Sequence, residues 1–308
     1  MLDIRRLQVL AALENSNTMT SAAAHLHMTP SAVSQQIAAL EREVDMALLD
    51  RSGRRVRLNA AGRLLIGQYH RIHAVMEETE ACLEQLRTEV SGELTISTFP
   101  SFCSTILPEA LMQLRRAHPQ LRTQVLDMEP LESIEGLRSG AVDVAVVDDI
   151  SPGSLEGVDI TELWRDEIVL CLPPDREDLS TQVGLADFAD EHWILDSVDA
   201  SFTDFLRQTC RDAGFEPDVV AHCSNLTAAL GLVRAGFGAT LISELNLGRE
   251  TTDVTVRRLD PPISRNHRIL TRSSNRDSPA IAATRRQLQV AAGARPGGQP
   301  KLTATKNR

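Results

Sequence analysis

The chain has no run of about twenty consecutive apolar residues and no apolar stretch after a basic start, so neither a membrane span nor an export signal is expected. It is short of positive charge: 32 Lys and Arg stand against 42 Asp and Glu, a formal net charge of −10. Generic coating of nucleic acid is thereby excluded, and any DNA contact falls to a local basic patch. Cysteines are few, odd in number and irregularly spaced: Cys82, Cys103, Cys171, Cys210 and Cys223. They read as free thiols in a reducing compartment, most of them buried as small hydrophobes, and the expected location is cytoplasmic. Also missing are G-x-G-x-x-G after a strand, a P-loop, a Ser-His-Asp order around a nucleophile elbow and any metal-spaced cluster. His25, His27, His70 and His73 read as surface or interface histidines. No catalytic residue, cofactor or metal is expected.

What is present is organised around Thr18 to Arg57. Thr18 is placed to cap a short helix carrying Ala22, Ala23 and Leu26 on one face, small enough for another helix to cross closely. Pro30 suits the first turn of the next helix. There Val33, Ile37, Leu40 and Val44 fall at spacings of four, three and four, leaving Ser31, Ser34, Gln35 and Ala38 outward. A small, uncharged, hydrogen-bonding face of this kind fits the major groove. Ser52 and Gly53 sit at a hairpin turn flanked by Arg51, Arg54, Arg55 and Arg57, a basic wing for phosphate or minor groove. Candidate DNA contacts are Thr18, Thr20, Thr29, Pro30, Ser31, Ser34, Gln35, Arg51, Arg54 and Arg55. A first helix over Ile4 to Asn15, with Leu7, Leu10 and Leu13, serves as scaffold.

From Ala60 to Val90 there is no proline, and Leu65, Tyr69, Ile72, Met76, Thr79, Leu83, Leu86 and Val90 alternate steps of four and three. Glu77, Glu78, Glu80, Glu84 and Glu89 lie off that seam. The pattern predicts one long helix paired with a copy of itself. Ser91 and Gly92 break it, and short β-rich runs alternating with helices follow, which predicts βαβ units and mainly parallel sheet. Those runs are Leu94–Phe99, Leu121–Met128, Val142–Asp148, Glu167–Leu172, Trp193–Leu195, Val219–His222, Ala239–Ile242, Val254–Leu259 and His267–Thr271.

The order AAAHLHMTPSAVSQQIAALEREVDMALLDRSGRRVRLNAAGRLL closely resembles the winged helix-turn-helix of LysR-type transcriptional regulators, and the resemblance extends over nearly the whole chain. Asp45, Leu49 and Asn59 depart from the family's usual Gly, Phe and Thr. The resemblance implies an α+β chain: a winged helix-turn-helix at 1–59, a linker dimerisation helix and hinge at 60–92, and a two-lobed α/β effector domain of periplasmic-binding-protein type at 93–293. Its lobes would be 93–161 with 265–293, and 162–264; the Gly, Pro and basic residues of 294–308 read as a disordered tail. It also implies pairing of two subunits through the linker helix and, usually, tetramers.

In open α/β sheets ligands sit beyond the carboxyl ends of strands. Thr98, Pro100 and Ser101 after the first strand, Ser197 and Ser201 after the Trp193 strand, and Asn225 before Leu226 can offer hydroxyls, an amide and helix-start N–H groups. Each also suits ordinary helix capping. Glu129 and Asp148 follow the second and third strands; an acid at Asp148, where some relatives carry a base, would favour an amine-bearing or zwitterionic effector. In the peroxide-sensing branch two cysteines act in this region; Cys210 with Gly214 resembles the second, but Ser201 stands at the first, which leaves only a pairing of Cys210 with Cys223. The reading is a ligand-responsive regulator that binds double-stranded promoter DNA and a small effector, contacts RNA polymerase and touches no membrane. The alternatives are an α/β enzyme or a passive architectural DNA binder; the second leaves the α/β half without a purpose.

Overall fold

The structure is a computed structural model and describes residues 2–16, 18–26, 28–52, 55–85, 89–150, 155–174, 176, 180–197, 201–248 and 251–294. Two compact units are present: Met1–Thr88 with Arg138–Ala141 and Ser274–Pro279, and the remainder of the chain.

The first unit begins with α1 (Ile4–Ser16), α2 (Met19–His25) and α3 (Pro30–Val44). A hairpin, β1 (Leu49–Ser52) with β2 (Arg55–Leu58), and α4 (Ala60–Gln85) follow. The leucine stripe of α1, Ala22 and Ala23 of α2, and Val33, Ile37 and Leu40 of α3 meet in one core closed by Leu48, Leu49, Ile66 and Tyr69. The two alanines are fully or almost fully buried, so the crossing uses their small size. Of the three departures from the family pattern, Leu49 fills core. Asn59 caps α4: its Oδ1 accepts from Gly62 N (2.9 Å) while its Nδ2 donates to Ala47 O (2.7 Å). Asp45 ends α3 at φ 51°, a left-handed position where glycine is free of strain.

The seam expected along α4 is divided. Tyr69 is buried in the head's core and Leu65 packs against it, but Ile72 (45%), Met76 (47%) and Leu83 (60%) are exposed, as are Leu64 and Val75. Glu77, expected off the seam, is buried and accepts from Ser274 Oγ (2.6 Å). The described helix ends at Gln85, Leu86 lies outside the described residues, and Val90 packs against a core of the second unit instead.

The second unit opens β3 (Gly92–Thr98), α5 (Pro100–Thr105), α6 (Leu107–Ala117), β4 (Leu121–Asp127), α7 (Pro130–Ser139) and β5 (Val144–Asp148). It continues β6 (Val158–Leu172), β7 (Gln182–Val183), β8 (His192–Leu195), α8 (Ser201–Asp212), β9 (Asp218–His222), α9 (Leu226–Arg234), β10 (Thr240–Ser243), β11 (Thr255–Arg272) and α10 (Pro279–Gly293). The main sheet runs β10-β6-β11-β5-β3-β4, with β7 added beside β11, and β8 pairs β9 separately.

The sheet is mixed, not mainly parallel. Only β5, β3 and β4 pair in parallel on its main path; β10, β6, β11 and β5 pair antiparallel in turn. The cause is that β6 and β11 are far longer than their apolar runs. The sequence between Val158 and Asp166 mixes polar residues among the apolar ones without a regular period, and Pro261, Pro262 and the polar stretch to Asn266 hide a strand that continues past a bulge between Arg258 and Ile263. These two strands serve both halves of the unit: one end of β6 meets β10, while one end of β11 meets β5.

Candidate functional site

On the first unit, α3 presents the face expected to read bases. Thr29 caps it, Oγ1 accepting from Ala32 N (3.2 Å) and sharing a hydrogen bond with Ser31 Oγ (3.0 Å). Pro30 follows as the first helical residue. Pro30, Ser31, Gln35 and Ala38 are exposed and Ser34 half-buried, opposite the fully buried Val33, Ile37 and Leu40. Thr18 caps α2 by accepting from Ser21 N (3.1 Å), and Thr20 is exposed on the same helix. These groups are held by what surrounds the helix: Arg6 of α1 donates to Gln36 Oε1 (3.3 Å) and pairs with Glu43, while Glu41 Oε1 accepts from Leu48 N (2.9 Å) at the hairpin. Gly62 lets α4 approach, since a Cβ there would stand 2.4 Å from Leu48 O. Arg51 and Arg55 occupy paired hairpin strands, with Arg55 opposite Ser52; Arg54 lies outside the described residues.

The second unit contains a cleft of about 690 Å3. Its walls come from the carboxyl ends of β4, β5 and β8, from α5, from the starts of α8 and α9, and from β10 with the turn after it. Of the expected effector contacts, Pro100, Ser101, Glu129, Asp148, Ser201 and Asn225 line this cleft; Thr98 and Ser197 do not. Thr98 ends β3 fully buried, with no partner for Oγ1 among the described residues. Ser197 lies beside the cleft-lining Asp196 and donates its backbone N–H to that carboxylate (2.7 Å). Asn225 caps α9 as well as lining the cleft, accepting from Ala228 N (2.9 Å).

Arg265, which lines the cleft, is the residue that sequence reasoning passed over. Its side chain is only 5% exposed, yet every nitrogen group is engaged. Nη1 donates to Asp148 Oδ2 (3.0 Å), Nε to Asp166 Oδ2 (3.0 Å) and Nη2 to Ser101 Oγ (3.3 Å). The guanidinium lies 5.0 Å from the centroids of both Phe99 and Phe202. Asp166, opposite Arg265 in the β6/β11 register, also accepts from Ser243 Oγ (2.6 Å) and lies 3.2 Å from His267 Nε2. Burial alone would raise the Asp166 carboxyl, but the bonds from His267 and Ser243 and the Arg265 charge hold it below the usual carboxylate value. Burial pushes His267 below its ordinary 6.5, against the pull of Asp166, and the ring stacks on Phe99 and Trp164.

Asp148 is therefore spent on Arg265 and cannot by itself set the sign of a ligand's charge. Glu129 is different. Burial raises its pKa, and Asp196, Asp148, Glu132 and Asp127 raise it further. The cysteines divide as two buried (Cys171, Cys210), two half-buried on the cleft (Cys103, Cys223) and one exposed (Cys82), so fewer are core than expected. Burial pushes the Cys210 thiol up to about 11 and raises Cys223 too, the opposite of what a peroxide-reactive thiolate needs. Among the described residues no group of three or more His, Cys, Asp or Glu could hold a metal.

Comparison with known proteins puts these observations in a family. Residues 4–63 match the bacterial regulatory helix-turn-helix protein, lysR family, and residues 87–292 match the LysR substrate binding domain. The chain belongs to the LysR family of transcriptional regulators, DNA-binding proteins whose substrate-binding domain responds to a small molecule. It is 29% identical over 266 residues to the HTH-type transcriptional regulator AlsR of Bacillus subtilis, covering 84% of this chain and 86% of that one. In fold it is similar to a full-length OxyR from Pseudomonas aeruginosa, with TM-score 0.70, 18% identity, and 100% and 99% of the two chains covered. It is similar also to full-length CbnR complexed with its target DNA, with TM-score 0.55, 22% identity, and 94% and 100% covered. No described helix is long and apolar enough to cross a membrane.

Proposed function

We propose that α3 enters the major groove of promoter DNA and that Thr29, Pro30, Ser31, Ser34 and Gln35 contact it there, with Thr18 and Thr20 of α2 on the flanking backbone. Arg51, Arg54 and Arg55 of the wing reach an adjacent phosphate or the minor groove. The carrying observation is the exposed, uncharged polar face of α3 set against its fully buried apolar stripe. The fold likeness to CbnR, seen in complex with DNA, supports the same reading.

The head is assigned to 1–59, the linker helix and hinge to 60–92, and the effector domain to 93–293, with lobes 93–161 plus 265–293 and 162–264. Exposed Ile72, Met76 and Leu83 on α4 support pairing with a second copy, and a dimer of dimers is the working assembly. The cleft is the effector site, with Pro100, Ser101, Glu129, Asp148, Ser201 and Asn225 facing the ligand and Thr98 and Ser197 behind its wall; an amine-bearing or zwitterionic metabolite is the class favoured. Its differential affinity for two arrangements of the heads, a few kcal/mol, sets transcriptional output through RNA polymerase in the cytoplasm. An enzymatic role has less support: the relatives are regulators, and the charged groups around Arg265 are tied to one another.

Fluorescence anisotropy with the DNA upstream of the chain's own gene tests this. Specific, salt-sensitive binding is expected, weakened at least about tenfold by Ser34→Arg. Equal affinity of the wild type and this variant would overturn the assignment of α3.

A further inference from the structure

We propose that the cleft takes a net cationic ligand, an organic amine without a carboxylate of its own, whose ammonium group lies among Asp127, Glu129 and Asp196. The inference rests on the cleft being the effector site: cavity and family supply the site, and its charges supply only the sign of what enters.

Among the described residues, five charged side chains line the cleft, four of them carboxylates. The fifth is Arg265, and its charge is already offset by two buried carboxylates. Nε and both terminal nitrogens already donate to Asp166, Asp148 and Ser101, and Phe99 and Phe202 flank the guanidinium. One guanidinium is thus shared by two buried carboxylates, so this group contributes no positive charge to a ligand. A ligand carboxylate that took the place of Asp148 or Asp166 would leave an uncompensated buried charge, and one that took only the Ser101 contact would add a third anion to a guanidinium already shared by two.

Asp127, Glu129 and Asp196 form no ion pair among the described residues; the Asp196 carboxylate accepts the Ser197 N–H (2.7 Å), while its backbone carbonyl oxygen lies 2.7 Å from His222 Nδ1. An ammonium placed with them satisfies several acceptors at once and offsets the repulsion between these carboxylates. The pKa of Glu129, raised by burial and further by Asp196, Asp148, Glu132 and Asp127, agrees with that arrangement. A zwitterion would need a second, cationic subsite for its carboxylate. At the start of α9, the Asn225 side chain already occupies the Ala228 N–H.

The test uses the full chain and four probes of equal chain length at matched ionic strength: n-butylamine, putrescine, γ-aminobutyrate and succinate. Thermal shift and calorimetry should show binding by the two amines, with putrescine the tighter, and none by succinate up to about 50 mM. Glu129→Gln combined with Asp196→Asn should weaken amine binding at least about tenfold. Amine binding indifferent to that double substitution overturns the inference. Preferential binding of succinate or γ-aminobutyrate, abolished by Ser201→Trp, overturns the charge assignment and leaves the cleft as the effector site. Absence of a shift with any probe overturns both.

Discussion

The DNA-reading head and the effector cleft are built in opposite ways. On α2 and α3 the groups assigned to DNA make hydrogen bonds only to close neighbours: Thr18 to Ser21, Thr29 to Ser31 and Ala32. They are presented by a buried stripe. In the cleft, Arg265 reaches Asp166, Asp148 and Ser101, which lie 99, 117 and 164 residues away in the chain. The head is a local pattern that packing holds out; the cleft is a network that exists only once the sheet has formed. A substitution in the first should cost recognition, and one that removes a member of the Arg265 network should cost stability before anything else.

The largest effect expected is at Arg265. Arg265→Ala leaves Asp148 and Asp166 buried without their cation, and loss of about 3–5 kcal/mol is expected by denaturant unfolding. If the loss were below about 1 kcal/mol, the network would not be the keystone of the cleft and the contrast with the head would fail. Ser34→Arg should do the reverse, with promoter binding lost and the unfolding midpoint nearly unchanged. Arg54→Ala is a milder change in the same sense, reducing the salt slope of binding by about one.

Acid should weaken the cleft network. His267 has a folded pKa below its ordinary 6.5, so its contribution is complete above that value and falls as the pH drops below it, when the unfolded chain takes up the proton more readily. Asp166, also depressed, adds a loss in the same direction at still lower pH, beneath its ordinary 3.8. Glu129 has the opposite sign: its folded pKa is raised, so ionisation costs stability as the pH climbs above its ordinary 4.5. His267→Gln should remove the component that begins near pH 6.5, and Glu129→Gln should stabilise the ligand-free protein at neutral pH, both read from melting temperature against pH.

The smallest effect is local to the head. Asp45→Gly relieves a left-handed residue at the end of α3 and should add about 0.5–1 kcal/mol to stability without altering promoter affinity.

The same contrast explains what could be read from the chain before folding. The stripe at Val33, Ile37 and Leu40 and the proline at the helix start lie within a few dozen residues, so periodicity and capping mark α2 and α3 nearly to their ends, while Gly53 of the expected turn lies outside the described residues. The strands β6 and β11 were read only in their apolar parts, because the remainder mixes polar residues among the apolar ones or contains prolines. Arg265 was therefore missed. A signal did exist: Arg265, His267 and Ile269 fall at the period of two that marks one face of a strand, and all three are buried. A cationic residue on such a face calls for a buried carboxylate opposite, and Asp166 occupies that register position. Asp148 was found by its place after β5, but its partner, and hence its lack of any free charge for a ligand, depended on pairing that no local pattern contains. The linker seam was legible as a period, while the share of it that the head itself covers was not, since Tyr69 packs inward and Ile72 does not.

The claim at the centre is that a small-molecule cleft governs what the polar face of α3 does on DNA. The most direct measurement is anisotropy of a labelled promoter fragment titrated with the full chain, with and without putrescine, for the wild type and for Glu129→Gln with Asp196→Asn. We predict that putrescine changes the affinity or the bound anisotropy of the wild type and leaves the double variant unaffected. Identical titrations with and without the amine for the wild type, or the same change in both proteins, would contradict it.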